Sequence, residues 1–189
     1  MRDLPDFMIQ SRGPVSETVL RLGFRTFHEI AAFVRDLPYG RNTDRSDYRL
    51  ILTEGKGTCS TKHALLAALC GEHGKDDIRL YTGIYQMNGQ NTPGTGPVLS
   101  RHGLTHVPEA HCYLKFNDER FDFTRPGAKA EGITAEKAIT PEQIGEDKVR
   151  FHRRYTSEWI KTENLPYELK DVWQIREQCI EALAEGEGR

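Results

Sequence analysis

The first regular pattern along the chain lies in two stretches, "VSETVLRL" and "TFHEIAAFVRDL", whose apolar residues recur three and four apart. In the second, Phe27, Ile30, Ala31 and Val34 form one stripe, the signature of a helix with a single buried face. Pro38 and Gly40 stop it. A polar loop, "PYGRNTDRSD", leads through "YRLILTE" to Gly55 and Gly57, where the backbone is free to turn sharply. The pattern then changes. In "CSTKHALLAALC", residues 59 to 70, Ala and Leu recur with hardly a polar face, which predicts a strong helix buried nearly all round and stopped by "GEHG".

Strand composition follows in "IRLYTGIYQM". The next segment, residues 88–109, "NGQNTPGTGPVLSRHGLTHVPE", is long and rich in Gly and Pro and reads as a surface loop. In "AHCYLKFNDERFDFT" the alternation has period two on both arms, which predicts a β-hairpin turning at Asn117 and Asp118. Facing residues of an antiparallel pair share a side. Cys112, Leu114, Phe116, Phe121 and Phe123 therefore fall on one face, and His111, Tyr113, Asp122 and Thr124 on the other. Helical spacing returns in "TPEQIGEDKVRFHRRYTSEWIKTEN", with Thr140, Pro141 and Glu142 as a start signal, and in "ELKDVWQIREQCIEALAE". Residues 133–185 are thus expected as a helical C-terminal extension.

Composition narrows the class. At 189 residues the chain suits one domain, 1–189, around a single core. With 26 basic against 28 acidic side chains it lacks the excess of cations that nucleic-acid binding calls for. No uninterrupted apolar run suits a signal peptide or a membrane span, so a cytoplasmic protein with no membrane partner is expected. Cys59, Cys70, Cys112 and Cys179 show no CxxC spacing, and free thiols are expected. Cys70, Cys112 and Cys179 sit on apolar faces and read as packing.

Cys59 differs from the other three because it opens a helix. There the leading N–H groups and the macrodipole favour a thiolate, and the same N–H groups suit an oxyanion. A nucleophilic thiolate needs a base, and the base needs a group to orient it. His111 and Asp122, on one face of the hairpin, meet that need: Asp122 can accept from the imidazole and set its tautomer. A carboxylate between two phenylalanines also calls for a partner. His63, four residues after Cys59, competes as base, but side chains lean toward the helix start and set it a turn below the sulfur. Cys59, His63, His111 and Cys112 have zinc-ligand chemistry, yet their spacing matches no usual structural zinc pattern. No metal and no cofactor are expected.

These stretches, "GKGTCSTKHALLAALCGEHG", "IRLYTGIY" and "EAHCYLKFNDERFDFTRP", resemble the transglutaminase-like superfamily of papain-related cysteine enzymes, whose pattern is Gly-x-Cys opening a central helix, a strand, a His strand and a paired strand with Asp. The resemblance covers roughly Phe27 to Pro126 and implies an α+β, papain-like fold in which the Cys59 helix packs on an antiparallel sheet. It implies Cys59 as nucleophile, His111 as general base and acid, and Asp122 as the orienting carboxylate. Cys112 takes the place of the usual aromatic after the His. No glutamine stands close before Cys59 as a side-chain oxyanion donor, which leaves Tyr39 and Asn42 as weaker candidates beside the backbone N–H of Cys59.

The function expected is cysteine-dependent acyl transfer on a peptide or protein amide through a thioester. Hydrolysis is favoured over transamidation because no calcium loop of the EF-hand type is present. Two other readings stay open: an acyl-CoA-dependent N-acyltransferase, and a non-catalytic peptide-binding module of the same fold.

Overall fold

Capping decides where the first helices begin. In the computed structural model, which describes residues 3–127 and 132–187, α1 spans Pro14–Arg21 and α2 spans Phe27–Asp36. Thr26 caps α2 through the N–H of Glu29 at 3.3 Å, and the Glu29 carboxylate accepts in return from the N–H of Thr26 at 3.0 Å. That reciprocal pairing satisfies N–H groups that precede the first helical bond. The cap of α1 is supplied from far along the chain: the carboxylate of Glu72 accepts from the N–H groups of Val15 and Ser16 at 2.8 and 2.7 Å. Gly13 leaves room for it, since a Cβ there would lie 2.4 Å from Glu72 Oε1.

A 3₁₀ turn, Tyr48–Leu50, leads into the one-turn α3, Ile51–Glu54, and then α4, Cys59–Glu72, runs as the sequence predicts. Four strands follow, β1 Arg79–Met87, β2 Val107–Phe116, β3 Glu119–Phe121 and β4 Ile133–Ala138, in an antiparallel sheet of order β3-β2-β1-β4. The architecture is α+β. Between and after the strands come α5 Thr95–Arg101, a 3₁₀ turn at Pro141–Ile144, α6 Glu146–Thr162 and α7 Leu169–Glu187.

The hairpin register pairs Leu114 with Phe121, Lys115 with Arg120 and Phe116 with Glu119, which leaves Asn117 and Asp118 as a two-residue turn. Their φ values of 49° and 62° are those a tight hairpin turn demands, and Asn and Asp tolerate them better than other non-glycine residues. Leu114 and Phe121, level with each other, join Cys112 and Phe123 in one core, as the predicted apolar face requires.

Two expectations are corrected. Residues 88–109 are not one surface loop: they contain α5 and the start of β2. Gly94, Gly96 and Pro97 misled because they occupy the start of a helix, where a missing N–H breaks no bond and Gly94 takes φ +85°. Burial of Val98 and Leu99 then outweighs the composition. Residues 133–138 are not part of a helical extension but form β4; in "ITAEKA" the half-buried and exposed positions alternate, as on an edge strand.

Contacts group the chain into two compact units, each gathered from three segments. The first comprises Met1–Thr82, His111–Ala130 and Lys137–Glu146, of which residues 1, 2 and 128–130 lie outside the description. Its core joins the predicted stripe of α2 to Leu65, Leu66 and Leu69 of α4, to Cys112, Leu114, Phe121 and Phe123 of the hairpin, and to Ile139 and Ile144. The second comprises Gly83–Ala110, Glu131–Glu136 and Asp147–Arg189, with residues 131, 188 and 189 outside the description. There α5 packs on α7 around Val98, Leu99, Val172, Ile175 and Cys179. A buried fork in this unit joins Arg176 to the Glu109 carboxylate at 2.5 and 2.8 Å. The Trp173 ring beside it carries Arg153 at 4.7 Å and Arg176 at 5.4 Å from its centroid. Among the described residues no helix is long and apolar enough to cross a membrane, and all four cysteines are free and buried.

Candidate active site

The approach to Cys59 is fixed by backbone before any side chain takes part. Gly55 ends α3 at φ +65°, and Gly57 runs beside Tyr39 in a short parallel bridge closed by Gly40 N–H to Gly57 O at 3.2 Å and Gly57 N–H to Pro38 O at 3.1 Å. A Cβ on Gly57 would lie 2.9 Å from Ile51 Cγ2 and 3.0 Å from Thr61 Oγ1, so only glycine passes this point undisturbed. Asn42 ties the loop from the other side. Its amide donates to Glu54 Oε2 at 2.9 Å and to Lys56 O at 3.0 Å, and its carbonyl accepts from Thr61 Oγ1 at 2.9 Å.

That bracing corrects one expectation. Both amide protons of Asn42 are committed, so Asn42 holds the loop and has none left for an oxyanion. Tyr39 contributes its backbone pairing with Gly57, two residues before Cys59. The first intrahelical bond of α4 runs from Lys62 N–H to Thr58 O, so the N–H of Cys59 lies ahead of it, at the positive end of the helix.

Cys59, His111 and Asp122 all belong to the first unit, and the structure brings them together. His111 Nε2 donates to Asp122 Oδ2 at 2.6 Å. With Nε2 engaged there, Nδ1 is the nitrogen left for the hydrogen bond that joins His111 to the Cys59 sulfur. Asp122 is braced in turn by the N–H of Thr124, which donates to Oδ1 at 2.8 Å. The result is a chain of carboxylate, imidazole and thiol on one face of the hairpin against the start of α4.

Electrostatics follow from this geometry. Burial alone would push His111 toward the neutral form, but the negative sulfur of Cys59 and the bond to Asp122 prevail and raise it to about 10. Asp122 is likewise opposed by burial, yet the bond and charge of His111 hold it well below the usual carboxylate range. Each partner stabilises the charged form of its neighbour, the condition a thiolate–imidazolium pair requires.

His63 takes a different place from the one that would make it a base. It is fully buried; Phe123 N–H donates to its Nε2 at 2.7 Å, and its Nδ1 donates to the carbonyl of Cys59 at 2.7 Å. Burial drives it down to about 4, so it is neutral at physiological pH. Beside it on α4, Lys62 is also fully buried, its ammonium donating to the carbonyls of Arg35 at 3.2 Å, Leu37 at 2.6 Å and Thr124 at 2.8 Å. Sequence reasoning missed Lys62 altogether. The one signal for it was a lysine inside a helix otherwise apolar nearly all round, where a cation requires partners. Cys112 donates to Ser60 Oγ at 3.6 Å within the core, and burial raises the thiols of Cys70 and Cys179, consistent with packing.

Comparison of the chain with protein-family models, with curated proteins and with solved structures returns no match.

Proposed function

We propose that this protein is a cysteine-dependent acyl-transfer enzyme of the papain-related, transglutaminase-like kind, acting on an amide or peptide bond. The observation that carries the proposal is the continuous run of hydrogen bonds from Asp122 through His111 to Cys59 at the N-terminus of a buried helix. Asp122 fixes the imidazole so that Nδ1 faces the sulfur. The proton of Cys59 resides on His111, and the thiolate attacks the acyl carbon. The oxyanion meets the N–H of Cys59 at the positive end of α4. His111 then gives its proton to the departing amine, leaving a thioester on Cys59. A water, deprotonated by His111, adds to that thioester, and its collapse releases the acid and restores the thiol. Hydrolysis is preferred over transfer to a second amine; both share the first half of the sequence.

The test is formation of the acyl-enzyme. The chain is mixed with an activated acyl ester, quenched in acid and weighed intact, with Cys59→Ala in parallel. One acyl group on Cys59, absent from the variant, is expected. Adding a primary amine as acceptor separates the two outcomes, since transamidation yields the amide product while hydrolysis yields acid at an unchanged rate. An unmodified Cys59, or equal turnover in Cys59→Ala, sinks the proposal.

A further inference from the structure

The backbone around Asp122 poses a problem of support. Strand β3 ends at Phe121, so Asp122, Phe123 and Thr124 lie beyond the hairpin ladder, although the orientation of His111 depends on the first of them. What holds the segment is the second turn of α4. His63 accepts from Phe123 N–H at 2.7 Å, and Lys62 donates to Thr124 O at 2.8 Å. The other nitrogen of His63 reaches back to the carbonyl of Cys59 at 2.7 Å.

We infer that His63 is a positioning residue, a neutral imidazole that clamps the segment bearing Asp122 to the turn bearing Cys59 and so sets the distance over which His111 bridges the two. The inference rests on the acyl-transfer reading of Cys59, His111 and Asp122. A peptide N–H can only donate, so Nε2 of His63 must present its lone pair to Phe123. Nδ1 must then carry the proton that Cys59 O accepts, and one tautomer alone satisfies both bonds. A protonated ring would aim a second N–H at the N–H of Phe123 and break the clamp. The surroundings act in that sense. Burial and the neighbouring Lys62 and His111, whose ring lies edge-on at 6.3 Å, disfavour the cation, and they outweigh Asp122 Oδ1 at 3.6 Å. With both nitrogens bound to backbone, His63 has no proton to exchange with substrate, which separates its role from that of His111.

The experiment uses the full chain and follows the pH dependence of Cys59 alkylation by iodoacetamide, read at Cys59 by mass spectrometry. In the wild type the midpoint lies well below the ordinary thiol value of about 8.5. His63→Leu, which lacks donor and acceptor, shifts it upward by about one unit or more, as Asp122→Asn does. The double variant shifts it no further than Asp122→Asn alone, because His63 acts through Asp122. His63→Gln, whose amide offers a donor and an acceptor, restores the low midpoint. Should His63→Leu fail to fold, His63→Asn, too short to span both backbone groups, carries the same expected upward shift. A low wild-type midpoint left unchanged in His63→Leu or His63→Asn, or shifts that add in the double variant, overturns the positioning role alone. An ordinary midpoint in the wild type sinks the acyl-transfer reading, and the role of His63 with it.

Discussion

His111 lies between the Asp122 carboxylate and the Cys59 sulfur, and its proton is the most sensitive report on the site. Its folded value of about 10 exceeds the usual 6.5, so the folded state binds this proton more tightly than the unfolded chain does. The associated stability is complete below about 6.5 and is lost as pH rises toward about 10. The sulfur supplies the largest share of the upward pull, so Cys59→Ala should bring the imidazole to titrate at clearly lower pH than in the native chain. Nitrogen-15 NMR of the ring checks this, and identical titrations in the two proteins would show that the pair is not coupled. Cys59, His111 and Asp122 were legible in the sequence because each stands out locally, the thiol at a helix start and the other two by alternation on a hairpin. Lys62, His63 and the bracing role of Asn42 were not, because their partners are backbone carbonyls and N–H groups brought in from elsewhere in the chain. Nothing local marks such partners.

Among the elements, the approach to α4 is the most exacting. Gly57 is enclosed by Ile51, Thr61 and Lys62, all within 3.2 Å of where a Cβ would stand. Gly57→Ala must move side chains that themselves brace the loop, at a cost of about 1–3 kcal/mol. Urea unfolding should show a lower midpoint with an unchanged slope, and acylation of Cys59 should fall further than stability does, because Thr61 and Lys62, two of the three side chains displaced, belong to the first turns of the helix that Cys59 opens. A variant with native stability and native acylation would show the approach to be tolerant. The same scale explains what the periodicities concealed. The hairpin and α4 were readable since their patterns extend over ten residues or more, whereas α5 has only seven residues, begins in glycine and proline, and takes its definition from the face of α7 that it covers. Strand β4, with six half-exposed or exposed residues, carries too weak an alternation to be told from helix without the strand it pairs with.

In the molecule as a whole, buried charges govern how stability answers to change. Glu109 is opposed by burial, but the charge of Arg176 prevails and lowers it to about 2, so the pair stays ionised. Arg176→Met alone should cost about 3–5 kcal/mol, because it strands a buried carboxylate, while Glu109→Leu with Arg176→Met should recover most of that loss. Thermal melts of the two variants test this, and a double variant no better than the single would show that the fork itself, not the orphaned charge, supplies the stability. Acidification tests the other buried group. His63 titrates near 4 when folded and near 6.5 when unfolded, so the unfolded chain binds the extra proton between those values. Stability should therefore fall as pH drops from about 6.5 to about 4, by about 3 kcal/mol in all. His63→Gln, which cannot take up a proton, should flatten that limb of a plot of Tm against pH; an acid limb as steep as the wild type's would exclude His63 as its source.

The threading of the chain has a practical outcome. The resemblance covers Phe27 to Pro126, and a gene fragment cut at Gly127 would encode Cys59, His111 and Asp122 in full. It would nevertheless omit Lys137–Glu146, and with it Ile139 and Ile144, which complete the core against which α4 rests. Between those two pieces the chain passes through β4 and residues of the other unit. Cys59, His111 and Asp122 therefore cannot be excised together as a minimal cassette or grafted as a contiguous block: for expression, shuffling or transplantation, the smallest portable piece that keeps this core runs from Leu4, ahead of the first helix, at least as far as Glu146.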